Sequence, residues 1–485
     1  MSLKQKTISG LVWSFAGNFA GQITSFVVGV ILARLLSPRE YGLIGMIVIF
    51  IALTSVFINS GFSQALIRKK DCSETDFSTV FYFNSFAGII FYILIFFAAP
   101  YISVFFGEPE LTNITRVIGL IIIIEALTII QNVKLTKEVN FKLQTQVRLC
   151  ASLLSGTLGI ILAFMDYGVW SLVFKSITES SLISSLLWIF NHWRPQKKFN
   201  FKVLKELFGF SSKLLASDII DKAYSNIYNL VIAKFFSAVE LGLYTRGQMF
   251  KNMASESLTE VVGKVSFPVL SSIQDEPNRL KANYRTILIS TQYIISIIMF
   301  ILAAIAEPLI LTLLGEKWVG AIIYLQLLCF VGILYPLHAI SRNVMYVFGE
   351  GSMVLKLQIV TKVLALPAIL SGIIWGIIPM LVVMIFSSIV EMMIKISMAG
   401  KLIDYPFIQQ IRDISFSFFL AFFIGVILFG LNYFISLRPI WVLALQLFTG
   451  VSLTVLISEF AKNEEYNFLK KTARDGLLIL FSWRK

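Results

Sequence analysis

The feature that most constrains this chain is a succession of long apolar stretches, which runs from residue 8 to about residue 460. Each stretch has 20 or more residues, so each can cross a hydrocarbon core of about 30 Å as a helix. The stretches lack the alternation of polar and apolar residues that a membrane β-barrel requires, which leaves helices as the spanning structure. Charged residues make up only 14% of the chain, against about 25% in soluble domains. The sequence therefore predicts an all-α polytopic membrane protein.

Fourteen membrane-spanning helices are predicted, with short connections between them. Their ranges are 8–35, 41–67, 77–106, 112–134, 143–165, 168–190, 207–235, 240–272, 284–314, 318–348, 354–375, 377–400, 413–435 and 439–460. The even-numbered connections and both termini are rich in Lys and Arg, whereas the odd-numbered connections hold far fewer. Because cytoplasmic loops carry the excess of basic residues, both termini are expected in the cytoplasm. This asymmetry explains the net charge of +13, and no nucleic-acid partner is expected.

A segment at the end of the first predicted helix recurs 200 residues later. Residues 31–42 read ILARLLSPREYG and residues 231–242 read VIAKFFSAVELG, with an alanine, a serine, a glutamate and a glycine in register. A second match joins residues 99–108 to residues 307–316. The offset spans six helices and returns the chain to the same side of the membrane, so the repeat is parallel, as in many transporters. The sequence predicts two six-helix lobes plus two added helices (6+6+2).

The repeat and two basic amphipathic segments give the predicted domain bounds. They are 1–190 for an N-lobe with helices 1–6, 191–206 for a basic linker, 207–405 for a C-lobe with helices 7–12, 406–461 for helices 13 and 14, and 462–485 for a basic cytoplasmic tail. The linker and the tail mix basic and aromatic residues, which favours a position on the inner membrane surface. A solvated linker is the alternative. Ser37 with Glu40, and Ser237 with Glu240, are expected to form matching capping boxes.

Polar side chains follow one face of helix 1 and the equivalent face of helix 7. Asn18 and Gln22 match Asp218 and Lys222 at the offset of 200. Charges at membrane depth are costly and by default mark a pathway or a binding site. The hypothesis is a hydrated cavity lined by helices 7 and 8, with coupling to Na⁺ or H⁺. The substrate-binding candidates are Lys175, Lys213, Lys222, Lys251, Asn18 and Gln22, and the ion-coupling candidates are Asp218, Asp221, Glu256 and Glu260.

Local charge pairing is the structural alternative for these residues. Asp218 with Lys222, and Lys175 with Glu179, stand four residues apart and can neutralise each other on a helix surface. Acids and bases balance four against four over helices 7 and 8, so the sequence does not indicate a uniformly cationic cavity. His338 in helix 10 is either a titrating group or a histidine that packs between helices.

No arrangement of residues typical of an enzyme is present in the sequence. It has no metal-spaced cluster of His, Cys, Asp and Glu, no phosphate-binding loop and no large loop to hold an active site. Cys72, Cys150 and Cys329 are scattered and indicate neither a disulfide framework nor a metal site. We expect no catalytic residue, no metal and no cofactor beyond a coupling ion.

Four segments carry a resemblance to a known family. They are ILARLLSPREYGLIGM (31–46), FINSGFSQALI (57–67), FPVLSSIQDEPNRLKANYR (267–285) and GEKWVGAIIYLQLL (315–328). They resemble the bacterial Wzx-type oligosaccharide-lipid flippases, and within these the branch for exopolysaccharide and teichuronic-acid export. The resemblance covers essentially the whole chain. It implies a MATE-like two-lobe fold, shared with multidrug and toxin extruders and with lipid II flippases.

The resemblance also implies a function. It is the transfer of undecaprenyl-diphosphate-linked oligosaccharide repeat units from the cytoplasmic to the periplasmic leaflet of the inner membrane, driven by an ion gradient, for surface polysaccharide biosynthesis. The implied partners are lipid-linked oligosaccharide, membrane lipid, a polysaccharide polymerase and other export proteins. Three alternatives stay open: a drug or cation antiporter of the same fold, a membrane glycan polymerase or ligase, and a structural partner of a synthesis complex.

Overall fold

The computed structural model describes residues 3–69, 71–435, 437–461, 466, 467 and 470, and no strand occurs in this part of the chain. The helices, with a short 3₁₀ turn at Glu316–Trp318, are α1 Leu3–Leu35, α2 Pro38–Arg68, α3 Glu74–Phe106, α4 Leu111–Ile118, α5 Leu120–Lys137, α6 Phe141–Phe164, α7 Val169–Phe190, α8 Phe201–Ser225, α9 Ile227–Phe235, α10 Ala238–Ala254, α11 Glu256–Ser272, α12 Pro277–Ala304, α13 Ala306–Leu313, α14 Ala321–Val347, α15 Gly351–Trp375, α16 Ile377–Leu402, α17 Phe407–Phe434 and α18 Pro439–Phe460. The all-α prediction is confirmed.

Eleven helical segments in the described part are long and apolar enough to cross a membrane. They are α2, α3, the α4–α5 pair, α6, α7, α12, α14, α15, α16, α17 and α18. The three other predicted spans are the first, the seventh and the eighth. Within the first, Phe19–Leu35 forms a shorter apolar helix, and the other two are each divided into two helices. A polytopic helical membrane protein is confirmed, whereas the count of fourteen spans stays a prediction.

The chain divides into two compact units, Met1–Gly242 and Leu243–Lys485, called unit 1 and unit 2 below. In unit 1, α2 packs against α8 and α5, and α6 packs against α1 and α7. Its main core joins α2, α3 and α5 through side chains such as Phe62, Val80 and Ile130, all buried. The predicted lobe bounds were drawn at the linker 191–206, and they stay a prediction.

Unit 2 is built around α12 and α14. The first packs against α17 and α14, and the second also packs against α16. Leu288, Ile340 and Ile396 belong to its core and are fully buried. At one edge of this core, buried Tyr284 donates a hydrogen bond to Gln410 Oε1 at 3.2 Å, which ties α12 to α17.

The predicted linker is anchored to unit 1 by its first ten residues. Trp193 is buried in the unit 1 core, and its indole N–H donates to Glu74 Oε2 at 2.6 Å. The backbone N–H groups of Gln196 and Asn200 donate to Ser78 and Thr79 at the start of α3. Helix α8 then begins at Phe201, inside the segment predicted as amphipathic. The predicted tail, 462–485, lies almost wholly outside the described residues.

The repeated segment forms the same corner twice, with α2 beginning at Pro38 and α10 at Ala238. The first copy has the predicted capping box, in which the Ser37 backbone N–H donates to the Glu40 carboxylate. In the second copy, the backbone N–H of Glu240 donates to the Ser237 hydroxyl at 3.2 Å. These caps satisfy N–H groups that the first turn of a helix leaves without partners.

Within unit 1 the two corners also touch each other through their glycines. A Cβ atom on Gly42 would lie 1.7 Å from the carbonyl oxygen of Ala238. A Cβ atom on Gly242 would lie 1.9 Å from the carbonyl oxygen of Pro38. The two contacts are equivalent under the offset of 200. Only a residue without a side chain allows the backbones to approach this closely.

Candidate functional site

The seventh and eighth predicted spans, which hold most of the charged candidates, each contain one residue at which the helix is irregular. The seventh divides into α8 and α9 at Asn226, whose side-chain amide donates to the carbonyl of Lys222 at 2.9 Å. The eighth divides into α10 and α11 at Ser255, whose hydroxyl donates to the carbonyl of Gly332 on α14 at 2.6 Å. The backbone N–H of Ser255 still donates to the carbonyl of Lys251 at 2.9 Å, so the irregularity at Ser255 is local.

An ion pair joins the two sides of the irregular turn at Ser255. Lys251 on α10 donates to Glu256 Oε1 on α11 at 2.6 Å, with side chains 8% and 31% exposed. The aliphatic part of Lys251 lies against Gly332, where an added Cβ would come within 3.1 Å of Lys251 Cγ. A larger residue at position 332 would require Lys251 to shift by a few tenths of an ångström. The structure thus brings together one substrate-binding candidate and one ion-coupling candidate.

The other candidates differ in burial. Asp218 is half-buried on α8, and Gln22, Asp221, Lys222 and Glu260 are exposed. No ion pair joins Asp218 to Lys222 in the described part of the chain. The local charge pairing that was the alternative to a functional role for these two residues is therefore not seen. The side chains of Asn18 and Lys213 lie outside the described residues. The roles of these residues stay predictions.

Lys175 forms the ion pair with Glu179 that was the alternative to a substrate-binding role. Its ammonium group donates to Glu179 Oε2 at 2.9 Å, one helical turn further along α7. The side chains are 22% and 30% exposed. The stem of Lys175 packs on Gly159 of α6, so the residue also contributes to the contact between these helices.

A polar cavity of about 440 Å³ that was not predicted from the sequence lies inside unit 1, between α2, α5, α6 and α7. Glu125 and Arg148 carry its charges. Glu125 accepts a hydrogen bond from Ser55 at 2.9 Å. A sequence signal was present, because Glu125, Thr128, Asn132 and Thr136 follow one another at spacings of three and four, which places them on one face of α5. This cavity is called the Glu125 cavity below.

A second charged group, also not predicted from the sequence, lies in unit 2. Lys395 pairs with Glu391 one turn away on α16, and Nδ1 of His338 on α14 lies 3.9 Å from the same carboxylate. That nitrogen is buried and has no hydrogen-bond partner among the described residues. His338 therefore packs between two helices beside a charged pair.

At the ends of the spans, ion pairs hold neighbouring helices together. Lys69, at the end of α2, lies 3.1 Å from Asp76 at the start of α3. Burial lowers the pKa of Lys69, but the hydrogen bond and attraction to Asp76 outweigh it and leave the pKa above its ordinary value. Lys134 donates a hydrogen bond at 2.8 Å to Glu74, whose carboxylate also accepts from the indole N–H of Trp193. Among the described residues, no group of three or more His, Cys, Asp or Glu side chains is placed to hold a metal.

Comparison with known proteins gives the family. A family model described as "Polysaccharide biosynthesis protein" matches residues 31–323, more than half of the chain. The chain belongs to this family. The "Teichuronic acid biosynthesis protein TuaB" of Bacillus subtilis is 22% identical over 73% of this chain and 73% of its own length. The "Lipopolysaccharide biosynthesis protein WzxC" of Escherichia coli is 24% identical over 77% of this chain and 76% of its own length.

Solved structures confirm the fold of this polysaccharide biosynthesis protein. "Lipid II flippase MurJ, inward closed conformation" matches with a TM-score of 0.73 at 16% identity, over 94% of this chain and 99% of that one. An inward-facing multidrug resistance MATE family transporter matches with a TM-score of 0.62 at 14% identity, over 79% of this chain and 94% of that one. The MATE-like fold and the resemblance to Wzx-type flippases are confirmed. The protein is a multi-pass membrane protein with a transporter fold.

Proposed function

We propose that the protein transfers undecaprenyl-diphosphate-linked oligosaccharide repeat units from the cytoplasmic to the periplasmic leaflet of the bacterial inner membrane, for surface polysaccharide biosynthesis. A diphosphate and a glycan cannot cross hydrocarbon without a polar path. The observation that carries the proposal is the Lys251–Glu256 pair at an irregular helical turn, in a membrane protein of a polysaccharide biosynthesis family. Relatives named for teichuronic acid and lipopolysaccharide biosynthesis support this class of substrate.

The proposed mechanism is ion-coupled alternating access. Glu256 holds Lys251 while no substrate is bound. When H⁺ or Na⁺ neutralises Glu256, the ammonium group of Lys251 is released and pairs with a phosphate oxygen of the substrate. The charged residues before the other irregular turn, Asp218, Asp221 and Lys222, contribute a second ion-binding and anion-binding region. Both termini lie in the cytoplasm, and the flipped unit passes to a polymerase on the far side of the membrane.

A clean deletion strain tests the transfer. We expect lipid-linked repeat units to accumulate while their synthesis continues, and surface polysaccharide to be lost. Mass spectrometry of the lipid fraction and immunodetection of surface glycan measure both. Normal surface glycan in a strain without a second gene of this family would refute the proposal, as would unchanged glycan with increased sensitivity to a cationic drug, which an antiporter predicts.

Complementation of the deletion strain tests the residues. Lys251→Ala, Glu256→Gln, Asp218→Asn and Lys222→Ala are each expected to reduce export at least tenfold after normalisation to the amount of protein in the membrane. Lys356→Ala is the matched control, because Lys356 is exposed and has no hydrogen bond or ion pair among the described residues. Export that survives a protonophore but requires external Na⁺ identifies Na⁺ as the coupling ion, and the reverse identifies H⁺. Export that depends on neither gradient contradicts ion coupling.

A further inference from the structure

The residues that line the Glu125 cavity all belong to unit 1, whereas Lys251 and Glu256 belong to unit 2. Its volume of about 440 Å³ falls within the range of about 300–1,000 Å³ that ligand pockets occupy. Hydroxyl and amide groups dominate its polar lining, with one carboxylate and one guanidinium. The polar residues are Ser63, Glu125, Thr128, Asn132, Thr136, Arg148 and Ser180.

Glu125 is a carboxylate inside a membrane-spanning helix. It lies on α5, twelve residues from the basic end of that helix at Lys137, which corresponds to about 18 Å along the axis. Its carboxylate accepts one hydrogen bond, from Ser55, and forms no ion pair with any described residue. A carboxylate at this depth without a cationic partner is costly to keep, and such residues by default mark a functional site.

Arg148 supplies the opposite charge at a different depth. It lies on α6, seven residues from the start of that helix at Phe141, or about 10 Å along the axis. Its guanidinium is exposed and makes no hydrogen bond or ion pair with another described residue. The planar fork of an arginine matches the oxygens of a phosphate or a carboxylate. The cavity therefore has a hydrogen-bond acceptor deep in the helices and an anion-binding group nearer their basic ends.

Neutral polar groups fill the space between these charges. The Ser63 hydroxyl is buried and has no hydrogen-bond partner among the described residues. A buried polar group without a partner costs about 1–3 kcal/mol, which a ligand hydroxyl would recover. A carboxylate with serine and asparagine side chains can accept from and donate to the hydroxyls of a sugar ring. A lone inorganic cation fits less well, because only one carboxylate is present and Arg148 repels positive charge.

We propose that the Glu125 cavity binds a saccharide that carries an anionic group. Sugar hydroxyls donate to Glu125 and exchange hydrogen bonds with Ser63 and Asn132. Arg148 pairs with the anionic group, which is either the diphosphate of a lipid-linked saccharide or the carboxylate of a uronic acid in the glycan. The inference rests on the proposed function and adds to it a head-group subsite within unit 1.

Binding to the purified full-length protein in lipid nanodiscs tests the subsite. The probes are farnesyl diphosphate, farnesyl diphosphate linked to N-acetylglucosamine, and a free disaccharide of glucuronic acid and glucose. The variants are Glu125→Gln and Arg148→Gln. The matched controls are Glu138→Gln and Arg412→Gln, which change exposed residues outside the cavity. Glu125→Asp serves as the conservative variant, and size-exclusion profiles confirm that each variant is folded.

We expect Glu125→Gln to weaken binding of the sugar-bearing diphosphate about tenfold, as the loss of a charge-assisted hydrogen bond predicts, with farnesyl diphosphate unchanged. Arg148→Gln should weaken both diphosphate probes about tenfold if the diphosphate is the anion, or only the glucuronate probe if a uronic acid is. Glu125→Asp should restore part of the affinity.

Sugar-probe affinity equal to wild type in both cavity variants would overturn the inference. Sodium binding that Glu125→Gln abolishes, with sugar binding unchanged, would also overturn it and make the carboxylate a cation site. These failures are distinguishable from failure of the proposed function. If the deletion strain accumulates lipid-linked units and the Glu125→Gln variant restores its export fully, the proposed function is supported and the proposed subsite is refuted.

Discussion

Replacement of Gly42 by alanine tests the contact between the two repeated corners. The added Cβ would lie 1.7 Å from the carbonyl oxygen of Ala238 and 2.4 Å from its carbonyl carbon. Ordinary van der Waals contact begins at 3.4 Å, and both neighbours are backbone atoms, so no side-chain rotation can relieve the clash. The backbones must separate instead. Overpacking of this kind costs about 1–3 kcal/mol, and we expect the upper end of that range because backbone has to move.

The reciprocal substitution makes this prediction sharper. Gly242→Ala places a Cβ 1.9 Å from the carbonyl oxygen of Pro38 and should cost a similar amount. Once the first substitution has moved the backbones apart, the second meets less resistance. The double variant should therefore lose less stability than the sum of the single variants, by about 0.5 kcal/mol or more.

The assay is the free energy of unfolding in mixed detergent micelles, followed by tryptophan fluorescence. Gly21→Ala is the control, because a Cβ there meets nothing within 4 Å, and it should leave stability unchanged or slightly raised. Single variants as stable as wild type would refute the close contact. Additivity within about 0.3 kcal/mol would show that the two glycines act independently and would refute the reciprocal geometry.

Three further predictions concern other parts of the chain, each measured by the same unfolding assay. Glu256→Gln leaves the buried Lys251 without its anionic partner and should cost about 3–5 kcal/mol, whereas replacing both residues by methionine should recover most of that loss. Gly107→Ala should cost about 1–2 kcal/mol from backbone strain alone, since Gly107 has φ of 73° and a Cβ there meets nothing within 4 Å; no loss would contradict the strained conformation. The pKa of Lys69 is raised above its ordinary value of 10.5, so its pairing with Asp76 should stabilise the protein fully below pH 10.5. This stabilisation should be lost as the pH rises through the raised pKa, and Lys69→Met should remove this dependence on pH.

The membrane fold could be predicted from the sequence because few backbone structures are stable in a lipid bilayer. Backbone groups in hydrocarbon must be satisfied within the segment, so a long apolar run such as 377–400 has to be a helix, and α16 covers it. The corners were also predictable, since Ser37 and Glu40 satisfy the first turn of a helix locally. Both features depend on residues close together in the chain.

The irregular turn at Ser255 was not predictable, because it involves a group distant in the sequence. Ser255 is an ordinary helix residue by propensity, yet its hydroxyl binds the carbonyl of Gly332, 77 residues away. The Glu125 cavity was missed for a different reason. The polar face of α5 is visible in the sequence, but it holds only one charge and is less conspicuous than the charged faces of helices 7 and 8.

The reciprocal glycine contact has the symmetry of a two-fold dimer interface. In an isologous interface, residue i of one subunit meets residue j of the other, and j meets i in return. When 200 is subtracted from the second-copy numbers, both contacts here reduce to position 42 against position 38. A single polypeptide thus carries both halves of a self-complementary contact. Each copy's glycine is held in place by the other copy's backbone, so a change in either corner is a change in the environment of both.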